Sequence, residues 1–137
     1  MFHPIEIPFG CVMMFNVVDL KDGVSVEDVE LALGEMCNVV KNTYGDEEGG
    51  FIAGQVYKSA GFVSEEGSFM SKNLASEMNQ CMNREHLVIV TFWKSFEQHE
   101  KSHADAVFKQ KFDALVEFCD ETYEIGYEML WQGVPEE

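Results

Sequence analysis

An α+β domain, with a four-stranded antiparallel sheet and helices on one of its faces, is predicted for this 137-residue chain by three observations. Two segments, Cys11 to Leu20 and His86 to Trp93, are apolar on both alternating faces, as central strands covered on two sides are. Each half of the chain reads strand, helix, strand. The last segment, Tyr123 to Trp131, alternates cleanly: Tyr123, Ile125, Tyr127, Met129 and Trp131 share one side, and Glu124, Gly126, Glu128 and Gln132 the other. The length suits one core and therefore one domain over residues 1–137.

The elements follow in order. After the first strand, Lys21-Asp22-Gly23 makes a turn, and Ser25 stands as an N-cap with Glu27 and Asp28 at the positive end of a helix. Val29, Leu33, Met36, Val40 and Tyr44 form its apolar stripe, and Gly45 ends it. Phe51 to Ser59, with Ile52, Val56 and Tyr57, is a second strand. Residues 60–85 are rich in Gly, Ser, Asn and Glu and read as an insertion between antiparallel strands, with a short helix expected around Leu74 to Met82. After the third strand, Ser95 caps a helical region that runs to about Asp120. There Phe96, His99, His103 and Val107 mark one face, and Phe108, Phe112, Leu115 and Cys119 another. At about 100° per residue the stripe jumps by roughly 140° near Asp105 to Phe108. One straight helix cannot bury both faces on one sheet, so a break is predicted there. The order β-α-β, insertion, β-α-β is that of a ferredoxin-like sheet. Helices then cover one face only, and the other, apolar on the first and third strands, calls for a second copy of the chain: a homodimer.

Composition narrows the function. An apolar fraction of 46% and 12% aromatic residues are those of a globular chain, and a net charge of −16 repels nucleic-acid phosphates and anionic lipid. No nucleic-acid or membrane partner is expected. Cys11, Cys37, Cys81 and Cys119 are scattered among apolar stretches without a C-x-x-C pair, which reads as reduced thiols. Met1 to Gly10 lacks a basic leader pattern and no run of about 18 apolar residues occurs, so a cytoplasmic location is expected.

Four positions draw attention as chemistry. Asn16 is the polar residue on a strand face otherwise made of Val12, Met14 and Val18, and a buried amide needs a partner. It serves as a core amide, or as a group that holds a phenol or a developing oxyanion. His99 and His103 stand four apart on one helical face, as packed core residues or as bases near neutrality. They also spell H-E-x-x-H, a spacing that places two imidazoles on one metal, with the third ligand to come from acidic residues near Glu121 or Glu124. Lys101 inside the motif and the helix break beyond it weaken a zinc-peptidase reading. Trp93, Tyr57, Tyr127 and Trp131 either wall a pocket for a flat ligand or pack as core and dimer contacts.

The run Trp93-Lys-Ser-Phe-Glu-Gln-His99-Glu-Lys-Ser102-His103, leading to Phe108 and Phe112, resembles the antibiotic biosynthesis monooxygenase-like family of the dimeric α+β barrel superfamily. The resemblance covers Cys11 to Gln132 in element order and Ile89 to Phe112 in residue detail. It implies a homodimer with a small-molecule pocket between sheet and helices, to which Asn16 belongs and beside which the motif's Trp93 stands; the residues themselves add His99 and His103 as catalytic candidates with Asn16, and Tyr57 and Tyr127 as substrate-binding candidates with Trp93. It implies oxygenation of a phenolic molecule with no cofactor. The family's haem-degrading branch carries a Trp and a His where this chain has Ser102 and Phe112, so haem is not expected. The alternatives are a non-catalytic dimeric binding or stress-related module, and a metal site on His99 and His103.

Overall fold

The computed structural model describes residues 4–60, 62–63, 69–70 and 86–136. In chain order the elements are β1 (Val12–Leu20), α1 (Val26–Thr43), β2 (Phe51–Lys58), β3 (Phe62–Val63), β4 (Phe69–Met70), β5 (His86–Trp93), α2 (Phe96–Ser102), α3 (Ala106–Val116) and β6 (Cys119–Glu128). The main sheet is antiparallel in the order β2-β5-β1-β6, which is the ferredoxin-like arrangement. Inside the stretch read as an insertion, β3 and β4 pair as a small separate hairpin. The helix expected around Leu74 to Met82 lies outside the described residues.

Strand register decides which side chains face the helices. On β1, Met14, Asn16 and Val18 stand opposite Thr91, Ile89 and Leu87 of β5, and this face is the buried one. Onto it pack Val29, Leu33, Met36 and Val40 of α1 with Phe108 and Leu115 of α3. Val18, Val29 and Leu115 are fully buried at its centre. Lys111 of α3 reaches Glu35 of α1 at 3.3 Å across the top of this layer. On the reverse face, Met13, Phe15 and Val17 stand beside Tyr127, Ile125 and Tyr123 of β6 and Phe92, Val90 and Val88 of β5. Tyr57, Tyr123, Ile125 and Tyr127 there are between 45% and 53% exposed, an apolar surface that the described residues of one chain leave open.

The helix starts are where their caps place them. Asp28 accepts the Ser25 N–H at 2.8 Å at the head of α1. Ser95 accepts the Gln98 N–H at 3.1 Å at the head of α2. The expected break is present: α2 ends at Ser102, and Asp105 restarts the chain by accepting N–H bonds from Val107 at 2.8 Å and Phe108 at 3.2 Å. The far end differs from expectation. The helical region stops at Val116 rather than Asp120, and β6 begins at Cys119 and ends at Glu128, before Met129 and Trp131. The buried Cys119 thiol bonds the Leu115 carbonyl at 3.3 Å and its residue pairs with Leu20, so the strand starts while the side-chain pattern still looks helical. Asp120, Glu121 and Thr122, polar residues in an edge strand, extend β6 ahead of the alternating segment that begins at Tyr123.

No described helix is long and apolar enough to cross a membrane. Cys11, Cys37 and Cys119 are free thiols.

The Asp105 cap has a pH signature. Its carboxyl is held below the usual range by the Phe108 N–H and the Tyr44 hydroxyl. Its stabilisation is therefore complete above the unfolded carboxylate pKa and is lost as pH falls through the lower folded value. Asp105→Ala should lower the urea midpoint at pH 7, and the gap to the parent should close in acid as the parent's carboxylate is protonated. A gap independent of pH would refute the cap's charge.

Candidate functional site

Helix α2 has seven residues, too few to hold its shape alone. It is tied down from outside. Gln98 Nε2 donates to the Glu47 and Glu48 carbonyls, each at 3.1 Å. This contact requires Gly50, whose φ is +77° and where a Cβ would sit 2.5 Å from the Gln98 amide carbon. Ser102 Oγ donates to the His99 carbonyl at 2.6 Å, and the Tyr44 hydroxyl donates to the Ser102 carbonyl at 3.3 Å. Burial, then the neighbouring Asp105, push the Tyr44 phenol up to about 12, so it stays a donor.

Held this way, α2 and the residue that caps its end point two imidazoles at the sheet. His99 is 3% exposed, with its ring edge-on to Trp93 at 5.1 Å. His103, half-buried, lies 4.5 Å from the His99 ring and 5.2 Å from that of Phe108. From β6 below rises Glu124, the residue opposite Asn16 on β1. Glu124 Oε1 is 2.9 Å from His99 Nε2 and 3.1 Å from His103 Nε2, and the two Nε2 atoms are 3.0 Å apart. Its second oxygen accepts the Asn16 amide Nδ2 at 3.2 Å. Asn16 Oδ1 and His99 Nδ1 are buried and have no hydrogen-bond partner among the described residues. Gly126 makes room beside the cluster: a Cβ there would stand 3.0 Å from the Phe96 ring and 3.2 Å from Met14 Sδ.

Burial pushes the Glu124 carboxyl up, but the hydrogen bonds and charge of His103 and His99 outweigh it and leave it at about 2. In return, the hydrogen bond to Glu124 raises His103 above its ordinary value, against the effect of burial. The result is a carboxylate that stays charged between two imidazoles, one of them reachable from solvent. Such a cluster can take a proton from a weak acid near neutrality or share its lone pairs with a cation.

Of the residues singled out in the sequence, Asn16, His99 and His103 are brought together, and Trp93 packs against them. Tyr57 and Tyr127 are on the reverse face, with the sheet between them and the histidines. The group that joins the others is Glu124, which the sequence offered only as one of two acidic candidates. The signal was there in the strand alternation, which sets Glu124 and Gly126 on the side away from the tyrosines. Glu100, the acid within H-E-x-x-H, lies 3.6 Å from Nδ1 of His99, on the far side of that ring from Glu124. It does not stand where a peptidase base would. A hollow of about 610 Å³ lies elsewhere, between α1 and β2, against Met36, Cys37, Val40, Val56, Ile89 and Thr91. Beside Trp93 the space is taken by the rings of Tyr44, Phe51 and His99.

No protein-family model and no curated protein matches this chain. Solved structures do. SnoaB from Streptomyces nogalater, a cofactor-independent oxygenase, superposes with a TM-score of 0.59 at 11% identity, over 93% of this chain and 99% of its own. A hydroxynitrile lyase from Passiflora edulis does so with a TM-score of 0.61 at 8% identity, over 93% and 100%. A dimeric ferredoxin-like protein of unknown function from Thermobifida fusca gives 0.58 at 9% identity, over 93% and 100%. This chain has the fold of those proteins. Identities so low, spread over two different activities, carry no reaction with them.

Glu124→Ala should destabilise the fold by about 1–3 kcal/mol in urea unfolding, because His99 Nε2 and Asn16 Nδ2 lose their common acceptor inside the protein. Exposed Glu121→Ala, on the same strand, should change stability by less than about 0.5 kcal/mol. Equal effects would mean that Glu124 holds nothing together.

Proposed function

We propose that this chain is the subunit of a homodimeric oxygenase of the antibiotic biosynthesis monooxygenase type, acting on a small phenolic molecule without a cofactor. The observation that supports this reading is the shared Glu124 oxygen, 2.9 Å and 3.1 Å from the two histidines, at a place open to solvent through His103. In this reading the substrate's hydroxyl docks against Oδ1 of Asn16, an acceptor without a partner among the described residues. An imidazole takes the phenolic proton, and Glu124 stabilises the imidazolium that forms. The electron-rich phenolate then reacts with O₂ directly. One oxygen atom enters the ring to give a quinone and the other leaves as water, so phenol plus O₂ balances without an added reductant. Trp93 backs the His99 ring and keeps it turned towards the carboxylate.

Dimer formation rests on the reverse face of the sheet. Tyr57, Tyr123, Ile125 and Tyr127 form the open apolar surface described above, and a neighbour of the same fold is itself described as dimeric. Two such faces laid together would remove that surface from water, with Tyr57 and Tyr127 lining the space between the sheets. Sedimentation should find a dimer at micromolar concentration, and Ile125→Asp should shift it to monomer. A compact parent monomer would end this proposal.

A second reading, a binding module without turnover, is favoured by the filled space beside Trp93. O₂ uptake with hydroxylated naphthalene and anthracene phenols separates the two. Uptake should fall at least about 100-fold in the His99→Ala/His103→Ala double variant, the loss expected with a general base. No uptake by the parent protein on any of these phenols, together with saturable binding of one of them, would establish the module.

A further inference from the structure

We propose that His99 Nε2, His103 Nε2 and Glu124 Oε1 form a site for one divalent first-row transition-metal ion, of the zinc, cobalt or iron(II) kind. The three atoms stand at the corners of a nearly equilateral triangle with edges of 2.9, 3.0 and 3.1 Å. Ligands about 2.1 Å from a metal and at right angles to one another lie about 3.0 Å apart; in a tetrahedral site they lie about 3.4 Å apart. The triangle is thus that of three ligands on one face of an octahedron, and a tetrahedral ion needs each edge to open by only a few tenths of an ångström.

While Glu124 is ionised and both imidazoles are neutral, protons do not satisfy all three edges of this triangle. A neutral imidazole nitrogen carries one in-plane hydrogen or one lone pair, and a carboxylate oxygen carries lone pairs only. If both Nε2 atoms donate to Glu124, two N–H groups are crowded together with their nitrogens only 3.0 Å apart. If one Nε2 donates to both neighbours, the other presents its lone pair to the carboxylate at about the same distance. Each choice leaves one unfavourable edge. A cation accepts all three lone pairs at once.

The surroundings complete a metal site. Nε2 ligation puts the His99 proton on Nδ1, which is buried and has no hydrogen-bond partner among the described residues, with Glu100 Oε1 the nearby carboxylate at 3.6 Å. Metal-bound histidines commonly give that second N–H to such a carboxylate. Asn16 holds the other oxygen of Glu124 and fixes which lone pair points at the histidines. Trp93, Phe96 and Phe108 line the cluster with apolar rings, and the remaining coordination positions fall to water or a small oxygen donor on the side of half-exposed His103. Two imidazoles and one carboxylate suit first-row divalent ions over Mg²⁺ and Ca²⁺, which take oxygen ligands. Ion and proton compete for the same lone pairs, so the filled site and the histidine base are exclusive states of one cluster.

Calorimetric titration of the chelator-stripped full chain with Zn²⁺, and optical titration with Co²⁺, test this without any substrate. One ion per chain is expected, with d–d bands for Co²⁺. Affinity should fall at least about 100-fold in His103→Ala and Glu124→Ala, and about tenfold in Glu100→Gln, which touches no ligand atom of the metal. Glu97→Ala, at an exposed carboxylate on the same helix, should bind as the parent does. His103 is half-exposed, so its variant decides the matter even where Glu124→Ala folds poorly. Absence of binding at 100 µM ion (about the weakest affinity of interest), or binding that survives in His103→Ala, overturns the proposal. Phenol oxidation by chelator-treated protein is read separately, so a failed metal site and a failed oxygenase give different results.

Discussion

The pairing of β6 with β1 is the constraint from which the chemistry of this molecule follows. Asn16 faces Glu124 across that pair because Phe15 faces Ile125 and Val17 faces Tyr123. A slip of one residue would turn Glu124 out among the tyrosines and bring Tyr123 or Ile125 under the histidines. The alternation of β6 opposes the slip, because Tyr123, Ile125 and Tyr127 share one side of the strand and Glu124 and Gly126 the other. The carboxylate is therefore a passenger of a register set by its apolar neighbours. Its charge is compensated by three partners, two imidazoles and one amide, which is what permits a carboxylate beneath a helix at all.

Much of this was legible beforehand because it is written in local rules. The N-caps at Ser25 and Ser95, and the jump of the apolar stripe near Asp105, follow from side-chain chemistry within a few residues, and they correspond to real helix boundaries. So does the two-sided character of the first and third strands. What escaped was decided at a distance. The switch from α3 to β6 depends on Cys119 finding Leu20, ninety-nine positions earlier in sequence, which no window around Cys119 contains. The side on which Tyr57 stands was decided at a distance too, by the pairing of β2 with β5, whereas that of Tyr127 follows from the alternation of β6. The choice between Glu121 and Glu124 needed both the alternation and the position of α2 above it.

One sheet thus separates two tasks. The face under the helices gathers the groups that can move protons or bind ions, and the reverse face carries the surface suited to assembly. Neither face requires the other's residues. The strongly acidic character of the chain, −16 in net charge, belongs to neither face; it surrounds both with a field that draws cations and holds back anions.

The brevity of α2 has one more consequence. A helix of two turns contributes little to its own persistence, and its order is lent by Gln98 on the loop carbonyls, by Tyr44 on its last turn and by Asp105 just beyond. The segment bearing both histidines therefore takes its order from the residues around it. An occupant at Glu124 would hold it from beneath, so that order in α2 becomes a gauge of what the cluster holds.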